Sequence, residues 1–96
     1  MSRYSVEIKE QAQQDLKALS KSEPKAYKKA LVLIAELYEH PQTGTGKPEQ
    51  LKGGGGTLWS RRISQKHRLI YEIIENIVHV DILSAYGHYG DKWIEV

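Results

Sequence analysis

Between Leu58 and Ile74 the sequence reads as two short strands, Leu58 to Ile63 and His67 to Ile74, joined by the polar turn Ser64-Gln65-Lys66. Side chains alternate between the two faces of a strand, and a lone two-stranded hairpin is at best marginally stable in water. The remaining chain must therefore supply further strands and a layer to cover one face. The hairpin also belongs to a longer stretch, Lys47 to Tyr71, that carries six basic residues (Lys47, Lys52, Arg61, Arg62, Lys66, Arg68) against one acid, Glu49. A basic hairpin preceded by a lone carboxylate points to a surface that grips phosphates and performs proton chemistry on them.

The flanking segments supply that support. Tyr4 to Ile8 alternates apolar and polar residues and reads as a strand. Glu10 to Leu19 sets Ala12, Leu16 and Leu19 on one side of an amphipathic helix. Ser20-Lys21-Ser22 is expected to break it, with Ser22 as N-cap and Pro24 in the first turn of a second helix. That helix is expected to run to about Glu39, with Tyr27, Leu31, Ile34 and Tyr38 as its apolar stripe and Ala30 and Leu37 beside them. Pro41 stops it, and the chain then loops to Gly56 with six glycines and two prolines. The run Gly53 to Gly56 reads as a flexible spacer, expected to leave Glu49 mobile until a bound partner orders it. After the hairpin, Glu75-Asn76 suits a tight turn, and Ile77 to Tyr86 alternates as a last strand. The order implies an α+β fold in one domain, residues 1–96. An N-terminal strand joins the edge of a mainly antiparallel sheet, and a helical hairpin covers one face. The opposite face is left to bind something.

Charge distribution is more informative than total charge. The chain has a net charge of +2, whereas residues 47–68 alone carry +5 and the remainder −3. A local basic patch in a nearly neutral chain is the footprint of a polyanion site. There are no cysteines, so disulfides, thiolate metal sites and thiol nucleophiles are excluded; a reducing cytoplasm is the compartment expected. No secretory signal and no membrane-spanning run is visible, Ala30 to Ala35 being the longest apolar stretch. Thr43-Gly44-Thr45-Gly46-Lys47 fails as a phosphate-binding loop, because Pro41 and Pro48 occupy positions that need Gly and Ser or Thr. His40, His67, His79 and His88 have no helical ligand spacing, so neither a metal nor another cofactor is expected.

Cleavage of RNA suits what remains. The ribose 2′-OH can attack its own 3′-phosphate, so the protein need provide only a base, an acid and fixed cations. Glu49 and His88 are candidates for the base and acid. Arg62 and Arg68 can clamp phosphate with their planar forks, Lys47 and Lys52 can hold neighbouring phosphates, and Tyr86 and Tyr89 can stack on bases. Arg62 and Arg68 share a face if they lie opposite one another, whereas pairing Arg62 with Leu69 separates them; the sequence leaves this register open. Arg61 is expected to point away from Arg62 and only to solubilise, His67 to be a turn residue, and Tyr27, Tyr38, Tyr71 and Trp59 to be packing residues.

Four motifs carry a resemblance. Lys47-Pro48-Glu49-Gln50-Leu51-Lys52, Trp59-Ser60-Arg61-Arg62-Ile63, His67-Arg68-Leu69-Ile70-Tyr71 and the late pair His88-Tyr89 resemble the YoeB/Txe toxins of the RelE superfamily, in bacterial type II toxin–antitoxin systems. The resemblance spans nearly the whole chain; residues 90–96 form a short C-terminal extension beyond it. It implies a RelE-like microbial RNase fold. The implied activity is metal-independent, ribosome-dependent cleavage of mRNA in the A site. By motif, Glu49 would be the general base, His88 the general acid and Arg68 the transition-state clamp, with Lys47, Lys52, Arg62 and Tyr89 holding substrate and phosphate. The implied partners are a YefM/Axe-type antitoxin, the 70S ribosome with its mRNA, and a second copy in a homodimer. Two other readings stand beside it: a non-enzymatic ParE-like toxin acting on DNA gyrase, and an inactive member that works only with its antitoxin.

Overall fold

In the computed structural model, which describes residues 3–53 and 55–87, the first strand, β1 (Ser5–Ile8), is followed by two helices, α1 (Glu10–Ser22) and α2 (Pro24–Leu37). The strands β2 (Glu49–Gln50), β3 (Leu58–Arg62), β4 (Arg68–Ile74) and β5 (His79–Ser84) follow. The five strands form one sheet in the order β1-β5-β4-β3-β2. Only β1 runs parallel to its neighbour; the other pairings are antiparallel. The expected edge position of the first strand, the antiparallel meander and the helical layer on one face are all present.

The helices differ from expectation in two places. α1 does not break at Ser20: the hydroxyls of Ser20 and Ser22 donate back to the carbonyls of Lys17 and Ala18, and the helix runs on to Ser22. The junction residue is Glu23, and Pro24 begins α2 as expected. In α2 the buried stripe is Ala26, Ala30, Leu33, Ile34 and Leu37, while Leu31 and Tyr38 are 43% and 37% exposed. Two overlapping stripes of helical spacing were present in the sequence. The one carrying two alanines faces the core, where α2 packs closely against α1.

The core joins Ala12, Leu16 and Leu19 of α1 and the α2 stripe to Leu69, Tyr71, Ile73, Val80 and Ile82 of the sheet, with Trp59 packed against it. Asp15 is also buried on the inner side of α1. Its Oδ2 accepts the Ala85 N–H at 2.9 Å and its Oδ1 accepts Gln11 Nε2–H at 2.9 Å, tying α1 to the end of β5. Among the described residues, no helix is long and apolar enough to cross a membrane.

A candidate phosphate-gripping face on the open side of the sheet

The register left open by the sequence is settled by the β3–β4 pairing, in which Arg62 lies directly opposite Arg68. Residues opposite one another share a face of a sheet. Glu49 pairs with Ser60, Ser60 with Ile70 and Ile70 with Ser84. These residues form a row across four strands, on the face away from the helices. Arg62, two residues beyond Ser60, points to that same face. By strand geometry Glu49 is displaced from Arg62 by about 7 Å along the strand and about 5 Å across it, within reach of two long side chains acting on one phosphodiester. The Arg62–Arg68 pairing thus sets two guanidinium side chains on one face of the hairpin.

The other predicted residues enter from the loops. Lys47 holds a left-handed backbone with φ of 52°, a strained conformation for a residue that precedes proline. The adjacent Gly46 carbonyl accepts the Arg62 N–H at 2.6 Å, which fixes Lys47 beside β3. Lys52 is exposed in the turn after β2. Around it Gly53, Gly55 and Gly56 take positive φ, Leu51 N–H donates to the Leu58 carbonyl and Gln50 Nε2 to the Gly56 carbonyl. Glu49 is thus paired with Ser60 at the edge of the sheet. Ser60, at the centre of the row, is fully buried and its Oγ has no partner among the described residues. His88, Tyr89 and the extension 90–96 lie outside the described residues.

Two residues taken for bystanders are structural. Arg61 is not a solubilising residue: it is fully buried on the helix side of β3. All five of its N–H donors are used, by Tyr71 Oη, Glu36 Oε1 and the carbonyls of His40, Thr43 and Thr45. Tyr71 Oη donates in turn to the Pro41 carbonyl at 2.7 Å, and burial raises its pKa. The arginine is therefore the internal template of the loop that leads to Lys47 and Glu49. Strand parity carried the signal, since a residue beside Arg62 must face the helices once they cover that side.

His67 is likewise more than a turn residue. It is buried, its Nδ1 accepts the Gly87 N–H at 2.8 Å and its Nε2 lies 2.6 Å from Glu23 Oε2. Nδ1 is therefore unprotonated, and Nε2–H donates to Glu23, whose carboxyl it holds below the ordinary range. The Tyr86 ring packs against the His67 ring at a tilt of 45°, with centroids 4.4 Å apart. Gly87 also returns its carbonyl to the Arg68 N–H at 3.0 Å, so the residue preceding His88 is fixed beside Arg68.

A separate cluster lies at the β1–β5 edge, where ligand atoms of Glu7, His79 and Asp81 fall within 4.8 Å of one another. The expectation of no metal rested on spacing along the chain, which does not register the β1–β5 pairing of Glu7 with Asp81. The cluster is already knit together. His79 Nε2 meets Asp81 Oδ1 at 2.8 Å, Nδ1 meets Ser5 Oγ at 2.5 Å, and Lys9 Nζ holds Glu7 at 3.2 Å.

The two-helix layer on a five-stranded, mostly antiparallel sheet is the architecture of the RelE-superfamily toxins. A YoeB dimer from Staphylococcus aureus superposes with a TM-score of 0.77 at 32% identity, covering 92% of this chain and 100% of that one. The toxin in a heterotetrameric YoeB–YefM toxin–antitoxin complex from the same organism gives 0.72 at 34% identity, with the same coverage. In sequence, a YoeB toxin of Streptomyces coelicolor is 40% identical over 70 residues, 73% of this chain and 81% of that protein. Residues 8–89 match the YoeB-like toxins of bacterial type II toxin–antitoxin systems, and the chain belongs to that family.

Proposed function

We propose that this toxin acts in the bacterial cytoplasm as a ribosome-dependent, metal-independent endoribonuclease that cuts mRNA in the A site and so stops translation. The observation that carries the reading is the convergence of Glu49, Arg62 and Arg68 on one sheet face through the β2–β3–β4 register. Glu49 takes the proton of the ribose 2′-OH. The O2′–P bond forms as the P–O5′ bond breaks, and His88 gives a proton to the departing O5′, leaving a 2′,3′-cyclic phosphate and a 5′-hydroxyl. Arg68 neutralises charge on the phosphorane, while Arg62, Lys47, Lys52 and Tyr89 hold the strand. The nucleophile belongs to the substrate, so the reaction needs no metal or cofactor. A YefM/Axe-type antitoxin is the proposed inhibitory partner, its acidic segment covering the basic face, and a homodimer is the proposed free form.

Primer extension on mRNA, with and without programmed ribosomes, tests this. A cut within the A-site codon, seen only with ribosomes and strongly reduced in Glu49→Ala and His88→Ala, is expected. Absence of any cut by folded wild-type protein overturns the reading and makes gyrase inhibition the next assay.

A further inference from the structure

Beyond Arg62, the basic face continues around the end of the sheet onto α2. A hollow of about 330 Å³ is lined by Lys29, Gly46, Lys47, Arg62, Ile63 and Ser64, which places it near the lower end of the volume range for small-ligand sites. Three of these six residues are cations and none is an acid. Among the described residues, none of the three cations is ion-paired. Lys47 is held there in its left-handed conformation by the bond between Gly46 and Arg62. Lys29 is half-buried, in contrast to its exposed neighbours Lys25 and Lys28.

A larger hollow of about 670 Å³ adjoins it and shares Lys29, Ile63 and Ser64. Lys25, one helical turn before Lys29, lines this second hollow. The acid there, Glu23, is occupied by His67 at 2.6 Å. Clustered like charges around a concave, partly desolvated space raise the local potential, and a lysine ammonium suits phosphate as a point charge.

We propose that the smaller hollow is a second phosphate site for the RNA strand, with Lys29 as its dedicated contact, one or more nucleotides away from the phosphate clamped by Arg62 and Arg68. It rests on the RNA-cleavage reading for the identity of the strand. An acidic peptide has the same charge; continuity with the Lys47–Arg62 edge of the candidate cleavage face favours RNA.

The test uses the full chain and a short, uncleavable 2′-O-methyl single-stranded RNA, with binding followed by fluorescence anisotropy across a salt series. Lys29→Gln is expected to lower the slope of log affinity against log salt by about 0.7, the single-strand value for one lost phosphate contact. Lys29→Arg, which keeps the charge, is expected to retain the slope, as is Lys28→Gln, which removes a neighbouring charge outside the hollow. Unaltered thermal melting establishes that the variants are folded.

An unchanged slope in Lys29→Gln overturns the site, and so does an equal loss in Lys28→Gln, which would indicate general attraction only. Weakened binding of a polyglutamate peptide with intact RNA binding also overturns it, in favour of an acidic protein partner. Ribosomal cleavage by the wild-type protein is measured in parallel. Cleavage with an unchanged Lys29→Gln slope refutes the second site alone; a lost slope without cleavage refutes the cleavage reading and leaves the phosphate site standing.

Discussion

Arg61 Nη1 meets Glu36 Oε1 at 2.7 Å, joining a fully buried arginine on β3 to a carboxylate near the end of α2. Hydrogen bonds from Thr45, followed by the contribution of Arg61, hold the Glu36 carboxyl below the ordinary glutamate range against the opposing effect of burial. The same guanidinium gathers three loop carbonyls. The pair therefore fixes a long loop through its backbone, at positions where side-chain identity in the loop matters little. Two adjacent arginines have opposite roles: Arg61 builds the loop and Arg62 faces the proposed substrate.

Replacing Arg61 by Ala leaves Glu36, Tyr71 Oη and three carbonyls without their donor. Stranding several acceptors that a fully buried guanidinium serves costs about 3 kcal/mol or more in total, and in a domain of this size that lowers Tm by roughly 10 °C or more. Arg61→Lys is expected to recover little, since a lysine has three donors on one nitrogen and cannot span five partners. Arg62→Ala is expected to leave Tm nearly unchanged while reducing cleavage. Thermal melts of the three variants check this; equal Tm values for Arg61→Ala and Arg62→Ala would mean that the strand faces are reversed.

Gly44→Ala probes the same loop from the other side. Gly44 has φ of 118°, and an added Cβ would collide with Glu36 Oε1 and lie 3.1 Å from Arg61 Nη1. Strain and displacement of the carboxylate act together, so a loss of about 2 kcal/mol or more is expected. Gly53→Ala is the control. Its φ is 82° with nothing within 4 Å among the described residues, so only the conformational cost of about 1 kcal/mol applies. Urea titration of the two proteins distinguishes them, and a Gly53→Ala loss matching that of Gly44→Ala would rule out the collision.

The element order and the edge strand were legible because period-2 and period-3.6 patterns encode them directly, whereas the face shared by Arg62 and Arg68 depends on a pairing register that such patterns leave open and that only the β3–β4 ladder fixes. Ile34, Ala30 and Leu37 of α2 were placed in or beside the buried stripe as found, but Leu31 and Tyr38 were misplaced, because Tyr27-Leu31-Tyr38 and Ala26-Ala30-Leu37 share the same periodicity one residue apart. Arg61 and His67 were misread for another reason. Their partners, Glu36 and Glu23, lie 25 and 44 residues away, and a charge buried by a distant partner looks the same in sequence as one left in water. The Glu7–His79–Asp81 cluster was missed because only the parallel β1–β5 pairing creates it.

Acid should destabilise the fold through two identified carboxylates. Glu23 and Glu36 both have folded-state pKa values lowered from the ordinary 4.5. A depressed carboxylate contributes stability that is present above its unfolded pKa and lost as pH falls through the folded one. Tm should therefore change little from these two groups between about pH 6 and 8, and fall below about pH 4.5. Glu36→Gln should lower Tm at neutral pH and flatten the acid limb. An acid limb as steep as in the wild type would remove Glu36 from the account.

His67→Ala separates positioning from chemistry. The substitution strands the Gly87 N–H, costing about 1–3 kcal/mol, and removes the strut that joins Glu23 to Gly87 beside Arg68. On the proposed reading, cleavage falls because the segment entering His88 is no longer fixed against Arg68, although His67 touches no reacting group. The pH profile distinguishes this from a proton-transfer role: His67→Ala should lower the rate at every pH while keeping the shape of the profile. Loss of one limb would instead make His67 a proton donor or acceptor. His67→Gln, whose amide can still accept the Gly87 N–H and donate to Glu23, should recover part of both the stability and the rate. Failure to recover either, in a folded protein, would show that the ring packed on Tyr86 matters more than the two hydrogen bonds.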